Sequence, residues 1–209
     1  MDGPQAPPSS LTDAALALPV RPGRHLVALA GPPASGKSTL AAGLATALTH
    51  AGRRAMVAPM DGFHLANAVL AERGLLARKG APETFDLAGL MTLLERLRAA
   101  PRAEVAIPLF DRARDLAEAG AAVVPEGCEI VIVEGNYLLL DEPGWRDLAP
   151  LWSLSARLAT PEAELRARLV ARWSAHGLGP GEAAARAERN DLPNAARVRK
   201  GALPADMVI

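Results

Sequence analysis

Four short apolar runs recur along the chain, at residues 25–30, 55–60, 130–133 and 154–159. Runs of this length that stay apolar at successive positions are typical of strands buried on both faces of a sheet. Segments with helical spacing of their apolar residues lie between and after them, at 37–51, 65–73, 87–99 and 162–175. Strands that alternate with helices predict an α/β fold with a parallel sheet and helices on both of its faces.

Three further segments lack these periodicities. Residues 1–20 begin with a stretch rich in Pro and Ser, and we expect them to form a loose tail before a single domain over 21–209. Residues 73–85 are rich in Gly, Pro and charge, which predicts a loop or flap. Residues 177–181 (GLGPG) interrupt a helical pattern, so 161–190 is predicted to be a helical hairpin, either a mobile lid or an ordinary surface hairpin.

The segment between the first strand and the first long helix carries the clearest chemical signal. It reads GPPASGKST over residues 31–39 and matches the pattern G-x-x-x-x-G-K-[ST] at Gly31, Gly36, Lys37 and Ser38. Glycines let successive backbone N–H groups turn inward toward phosphate oxygens, and the helix N-terminus adds partial positive charge. Lys37 is suited to reach the β- and γ-phosphates, and the Ser38 hydroxyl is suited to Mg²⁺. The segment predicts a bound nucleoside triphosphate.

Two of the other strands end in an acid. Asp61 follows the second apolar run and Glu134 follows the third. In a parallel sheet both would emerge at the same edge as the P-loop, where a carboxylate can hold Mg²⁺ or accept a proton from a hydroxyl. Either acid alone could be a turn residue before glycine, whereas the two together favour a site.

Composition narrows the class of function. Lys+Arg and Asp+Glu both total 23, so the chain has no net positive charge to attract nucleic acid, and no nucleic-acid partner is expected. The single cysteine, Cys128, excludes an internal disulfide and fits a reducing compartment, from which we expect a cytoplasmic protein. No apolar run approaches the roughly 18 residues of a membrane span, so no membrane partner is expected.

The remaining motifs separate kinds of nucleotide-binding protein. No N-K-x-D motif of a GTPase is present, and the only D-x-x-G, residues 86–89, opens a helix for which Asp86 is the expected N-cap. A transporter-type ATPase would carry a signature motif that this chain lacks. The remaining class of function is phosphoryl transfer to a small molecule. This reaction requires a base, Mg²⁺ and cations over the transferred group.

At this point the chain resembles a known family. The segments GPPASGKST, DGFHLANAVLAERGLLARKGAPETFD, IPLFDR, VIVEGNYLLL and NDLPNA are similar to those of the P-loop kinases grouped with phosphoribulokinase, uridine kinase and bacterial pantothenate kinase. They are most similar to the bacterial set labelled fructose transport system kinases or nucleoside/nucleotide kinase family proteins. The resemblance covers about residues 24–200. It implies a P-loop NTPase fold with a five-stranded parallel sheet and a helical lid, and an ATP-dependent kinase.

The resemblance also implies roles for individual residues. ATP is expected on the P-loop and on two residues of the NDLPNA segment, whose alternative is a plain helix end: Gly31, Pro32, Ala34, Ser35, Gly36, Lys37, Ser38, Thr39, Asp191 and Asn194. Asp61 matches the catalytic base, and Mg²⁺ is expected near Ser38, Asp61 and Glu134. The lid arginines fall in RARLVARW, where we favour Arg168 and Arg172 as cations over the phosphoryl group. Salt bridges Glu162/Arg166 and Glu164/Arg168 at i,i+4 are the alternative.

The acceptor is the least specified part of the site. Its candidate ligands are Asp61, Glu134 and four basic side chains, each of which taken alone is more often a surface charge: His64, Arg78, Lys79 and Arg112. Residues 109–112 (LFDR) replace the P-V-Y-S-H block of pantothenate kinase, and an aromatic content of 3% offers little to hold a nucleobase. We therefore expect a fructose-like sugar or related polyol. A nucleoside or pantothenate-type vitamin kinase is the alternative, and a nucleotide-switched binding protein is the rival from another class. Oligomer base rates suggest a homodimer.

Overall fold

The structure is a computed structural model and describes residues 7–209. The helices and strands follow one another in chain order as α1 Ser9–Leu16, β1 His25–Ala30, α2 Lys37–His50, β2 Ala55–Pro59, α3 Asn67–Glu72, α4 Leu87–Arg98, β3 Val105–Asp111, β4 Leu116–Val124, β5 Ile130–Gly135, β6 Leu154–Arg157, α5 Glu162–Ala175, α6 Pro180–Arg186, α7 Leu192–Lys200 and β7 Met207–Val208.

The central sheet has five parallel strands in the order β2-β5-β1-β6-β7. Every residue of β1 and β5 is buried, as the continuous apolar runs predicted. One hydrophobic layer packs α4 against one face of the sheet, and a second layer packs α1 and α2 against the other. The predicted α/β class and its five-stranded parallel sheet are confirmed.

The prediction of a loose tail over residues 1–20 is wrong for α1. Leu11 and Ala15 have no exposed surface and belong to the hydrophobic layer that also contains α2. The apolar residues of this short helix are held by burial, which the Pro/Ser-rich beginning of the segment does not reveal. Residues 1–6 of the predicted tail lie outside the described residues.

A second, two-stranded antiparallel sheet of β3 and β4 was not predicted. Its residues 116–124 (LAEAGAAVV) are small and mostly exposed, and Pro108 lies at a register shift inside β3. Gly62 approaches this sheet so closely that a Cβ atom there would lie 2.4 Å from the Pro108 carbonyl oxygen. This close approach holds the single-turn 3₁₀ helix Met60–Phe63, which carries Asp61, against β3.

The helix boundaries largely follow the predictions. Asp86 caps α4, since its carboxylate accepts a hydrogen bond of 2.9 Å from the Gly89 N–H. The chain turns between α5 and α6 at Gly177, whose φ of 90° favours glycine. After α6 a π-helical turn, Ala187–Asp191, leads directly into α7, so the alternative of a plain helix end in the NDLPNA segment does not apply. Within residues 7–209, no helix has the length and apolarity needed to cross a membrane.

Candidate active site

The segment after β1 forms a phosphate-type cradle at the start of α2. Gly36 has a φ of 94° and Ala34 a φ of 62°, the left-handed backbone that lets successive N–H groups turn inward. Lys37 is buried, and its ammonium group donates a hydrogen bond of 3.0 Å to the Pro32 carbonyl. A cavity of about 450 Å³, here called the P-loop cavity, opens over this segment.

The other residues of the segment pack closely within it or line one of two cavities beside it. A Cβ atom at Gly31 would lie 3.0 Å from Ser35 Oγ and 3.1 Å from Leu158 Cβ, so a larger residue would fit only if these neighbours shifted. Ser35 lines a separate cavity of about 380 Å³ that shares Gly36 with the P-loop cavity. Thr39 lines the P-loop cavity with Lys37 and Ser38.

Glu134 at the end of β5 faces the same cavity. Its Oε1 accepts a hydrogen bond of 2.9 Å from the Ser38 hydroxyl. Burial raises the pKa of Glu134, and the nearby Lys37 ammonium opposes that shift. Burial likewise lowers the pKa of Lys37, opposed by Glu134 and Asp61. Each buried charge therefore compensates the other, and an anionic ligand would favour the ammonium form of Lys37.

The donor set around this cavity fits Mg²⁺. Ser38, Asp61 and Glu134 all line it, and all offer the oxygen atoms that Mg²⁺ prefers. Among residues 7–209, no group of three or more His, Cys, Asp or Glu side chains could form a cage around a metal ion. Magnesium in kinase sites is bound by one or two carboxylates together with substrate phosphates and water, which is the arrangement these side chains allow.

Asp61 lies where two cavities meet. It lines the P-loop cavity and also a second cavity of about 440 Å³, here called the flap cavity. Its Oδ2 is bound at 2.8 Å by the guanidinium of Arg112, which follows β3 and lines both cavities as well. The two sheets thus bring a carboxylate and a cation together from positions 51 residues apart.

The arginines of α5 reach the P-loop cavity. Arg168 and Arg172 both line it, and Arg168 donates a hydrogen bond of 3.3 Å to the Ala34 carbonyl. The i,i+4 pair of Glu164 with Arg168 is present at 2.5 Å. The pair expected between Glu162 and Arg166 is not formed, because these side chains instead contact helices α6–α7 and the turn between them, Arg166 through Glu188 and Glu162 through Arg199.

The flap cavity is lined by the flap, by the start of the β3–β4 turn, and by α5, α6 and the turn that follows them. His64 packs between the rings of Phe85 and Phe110, with centroid distances of 4.1 and 4.6 Å. Its Nδ1 lies 2.8 Å from the Asp61 carbonyl oxygen, and burial lowers the pKa of the ring. His64 is therefore favoured as a neutral wall of this cavity.

The two basic residues predicted in the flap have different surroundings. Lys79 lines the flap cavity, but its ammonium group binds Asn67 Oδ1 at 2.7 Å, the Asp115 carbonyl at 2.8 Å and Asp115 Oδ1 at 2.9 Å. It joins the flap to the β3–β4 turn. Arg78 is half exposed, pairs with Glu83 at 2.6 Å and lines neither cavity, so the structure does not bring it into the site.

Asp191 and Asn194 lie in the flap cavity, not in the P-loop cavity where the nucleotide was expected. Asp191 Oδ2 accepts a hydrogen bond of 2.7 Å from Trp173 Nε1. The reason for the difference is the continuous passage from α6 through the π turn to α7, which carries both side chains toward the flap. There the neighbouring Asn190 donates a hydrogen bond of 2.8 Å to the Lys79 carbonyl.

Sequence reasoning missed several residues of the site. Asn136 lines both cavities, and its position two residues after Glu134 was the available signal. Trp173, Arg186 and Asn190 line the flap cavity, and no spacing rule pointed to them. Phe85, Phe110 and Trp173 also meet in one cavity, which removes the argument from low aromatic content against a nucleobase.

A parallel sheet whose first strand leads into an amide-lined cradle, with an acid at the end of the neighbouring strand, defines a P-loop nucleotide-binding protein. Searches for a matching family model find none. The Schizosaccharomyces pombe protein named "Putative uridine kinase" is 36% identical over 199 residues, covering 89% of this chain and 83% of that protein. The pantothenate kinase of Myxococcus xanthus is 39% identical over 117 residues, covering 55% of this chain and 37% of that enzyme.

Among solved structures, a Silicibacter sp. TM1040 protein described as a "putative fructose transport system kinase" superposes with a TM-score of 0.92 at 53% identity, covering 96% of this chain and 98% of that one. The chain therefore belongs to the P-loop kinases of the uridine kinase, pantothenate kinase and phosphoribulokinase group. It is a phosphotransferase with a hydroxyl group as acceptor.

Proposed function

We propose that this protein is an ATP-dependent kinase that transfers the γ-phosphoryl group to a hydroxyl of a fructose-like sugar or related polyol. The observation that carries the proposal is the position of Asp61, which lines both the P-loop cavity and the flap cavity. A carboxylate at this junction can accept the proton of a hydroxyl in one cavity while that oxygen attacks a phosphoryl group in the other.

The P-loop cavity is the proposed site of the triphosphate. Backbone N–H groups of residues 31–39 and the buried Lys37 ammonium would bind the phosphate oxygens. Ser38 and Glu134 would hold Mg²⁺ together with phosphate oxygens and water, and the bound ion would neutralise charge on the phosphates, while Asp61 would stay available to accept a proton. The Ser38–Glu134 hydrogen bond of 2.9 Å keeps two of these ligands adjacent.

The proposed transfer needs a proton acceptor and nearby cations. The acceptor hydroxyl forms a new O–P bond, its proton passes to an Asp61 oxygen, and the bond to the leaving ADP oxygen breaks. Arg168 and Arg172 line the P-loop cavity and are placed to stabilise charge on the group in transit. Arg112 binds Asp61 Oδ2 and orients the carboxylate.

The flap cavity is the proposed acceptor site. Its lining includes the side chains of Asn136, Asn190 and Asn194, polar groups of the kind that hydrogen-bond sugar hydroxyls. The name of the Silicibacter protein supports a sugar. A nucleoside is the second candidate, because Phe85, Phe110 and Trp173 supply aromatic surface in the same cavity.

The experiment that tests this proposal is an ADP-release assay with MgATP and a panel of hexoses, polyols, nucleosides and pantothenate, against a control without acceptor. We expect a sugar or polyol to stimulate ADP release well above the acceptor-free rate. If only a nucleoside or pantothenate stimulates ADP release, that compound is the acceptor and the proposal of a sugar or polyol is wrong. Slow hydrolysis that no compound stimulates would support a nucleotide-switched binding protein instead.

A further inference from the structure

The flap cavity carries more positive charge than its carboxylates balance. Seven charged side chains besides histidine line it, four cations and three carboxylates: Lys79, Arg112, Arg172, Arg186, Asp61, Asp115 and Asp191. Two of the cations are already paired, Lys79 with Asp115 at 2.9 Å and Arg112 with Asp61 at 2.8 Å. Two cations, Arg172 and Arg186, and one carboxylate, Asp191, remain outside these pairs.

That carboxylate does not pair with either of them. Asp191 Oδ2 accepts the Trp173 Nε1 hydrogen bond, and within residues 7–209 no acid lies within 4.0 Å of the Arg172 or Arg186 guanidinium. Burial raises the pKa of Asp191, and the Trp173 hydrogen bond and the charges of Arg172 and Arg186 oppose that shift, so Asp191 acts on both arginines only from beyond salt-bridge distance. Both guanidinium groups instead lie over the Trp173 ring, with Cζ 5.8 Å from the ring centroid for Arg172 and 5.0 Å for Arg186.

The two arginines differ in the space they face. Arg172 lines both cavities and is accounted for by the transferred phosphoryl group, whereas Arg186 lines the flap cavity alone. Burial and the nearby Arg112 lower the pKa of Arg172, which indicates that added negative charge would stabilise this cluster. Arg186 is therefore a half-buried cation in the acceptor cavity, with no acid of residues 7–209 within 4.0 Å and no place in the lining of the P-loop cavity.

We propose that the acceptor is an anion, a sugar or polyol that carries a carboxylate or a phosphate ester, whose charged group binds Arg186 while its hydroxyl faces Asp61. This inference rests on the proposed kinase function and adds the charge of the substrate. A planar guanidinium binds carboxylate and phosphate oxygens through paired N–H groups. Its position against Trp173 limits the freedom of its side chain and so reduces the entropy lost on binding.

The test compares a neutral hexose, the corresponding hexonic acid and the hexose monophosphate as acceptors in the ADP-release assay with saturating MgATP. We expect KM for at least one anionic acceptor to be tenfold or more below that for the neutral hexose. The Arg186→Gln variant should raise that KM by about 10- to 100-fold, the effect of losing a charge-assisted hydrogen-bonding partner, with KM for ATP unchanged. The relative order of acid and ester distinguishes the two anionic groups.

The matched control is Arg189→Gln, an exposed arginine three residues along that lines neither cavity. Equal effects of the two substitutions, or a neutral hexose used as well as its anionic derivatives, would overturn the inference while leaving the kinase function standing. Stimulation by none of the acceptors would instead count against the proposed function itself. If circular dichroism shows that Arg186→Gln does not fold, the inference is tested on the unaltered protein through the salt dependence of KM. Raising NaCl should increase KM for the anionic acceptor and not for the neutral one, and an unchanged ratio overturns the inference.

Discussion

Asp61 is the residue that connects the two cavities, and its carboxylate oxygens have different surroundings. Oδ2 is held by Arg112, while Oδ1 has no hydrogen-bond partner among the described residues. One oxygen is thereby oriented and the other is free for a hydroxyl. Sequence reasoning selected Asp61 and Arg112 independently of each other. The ion pair through which Arg112 positions Asp61 exists only in the folded chain.

Asp61→Asn should lower kcat by about 10²- to 10⁴-fold, because the amide has the same shape but cannot accept the proton. ATP affinity, measured by calorimetry with Mg²⁺ present, should change little. Lys37→Ala is the contrasting variant and should weaken both turnover and ATP binding, since it removes the buried ammonium from the cradle. Undiminished kcat in Asp61→Asn would remove Asp61 from the role of base.

Arg112→Gln should lower kcat about 10- to 100-fold with KM for ATP unchanged, because the carboxylate loses the group that orients it. Arg114→Gln is the control, since Arg114 lies on the same turn but contacts Asp111 at 3.9 Å and lines neither cavity. In an Asp61→Asn background, Arg112→Gln should add little further loss of kcat. Independent, multiplying effects of the two substitutions would contradict a positioning role.

At the scale of the element, helix α4 shows how a local signal specifies a boundary. Asp86 was expected to open this helix, and its carboxylate does accept the Gly89 N–H. The helix then buries Leu90, Leu93, Leu94 and Leu97 against the sheet, beside the strand ends that carry the site. Capping therefore contributes to the stability of the layer on which the 3₁₀ turn of Asp61 packs.

Asp86→Ala should lower the free energy of unfolding by about 1 kcal/mol, within the usual range of about 0.5–2 kcal/mol for loss of an N-cap. Urea unfolding at neutral pH measures it, and the expected fall in Tm is roughly 2–4 °C for a chain of this size. Glu95→Gln, an exposed change on the same helix, should have an effect within about 0.5 kcal/mol. Equal stability of the two variants would show that the cap is dispensable.

At the scale of the whole molecule, the end of the sheet opposite the P-loop concentrates buried basic groups. Arg24 has no exposed surface, and its guanidinium donates to the carbonyls of Leu97, Ala103 and Pro125, which joins three distant segments. His25 follows it and lies near Arg21, Arg53 and Arg102. Its Nε2 lies 2.6 Å from the Pro19 carbonyl.

His25 should make stability depend on pH. Burial lowers the pKa of His25 below its ordinary value of 6.5, so below that pH the unfolded chain binds a proton that the folded chain refuses. The free energy of unfolding should then fall on acidification from about pH 6.5 downward. His25→Gln removes this loss, so the stability advantage of the unaltered protein should be smaller at pH 5 than at pH 8 in urea titrations. A difference that stays constant between pH 5 and pH 8 for His25→Gln would refute the linkage.

The sequence by itself determined the parallel sheet, the P-loop and the two acids at the strand ends. These features depend on local patterns, namely continuous apolar runs, glycines before a helix, and acids where strands stop. They could be predicted because each is specified within about ten neighbouring residues of the chain. The predictions of β1, of α2 and of the position of Asp61 directly after β2 are of this kind.

Only the tertiary structure decided which side chains share a cavity. The β3–β4 sheet brings Arg112 to Asp61, and it was not predicted because most of β4 is exposed and Pro108 lies at a register shift inside β3. The sheet depends on the pairing of its two strands and on the close approach of Gly62. The π turn after α6 redirected Asp191 and Asn194 to the flap cavity and left Arg186 there without an acidic partner in the described residues. Contacts between segments far apart in sequence depend on how helices and sheets pack, and no local pattern specifies that packing.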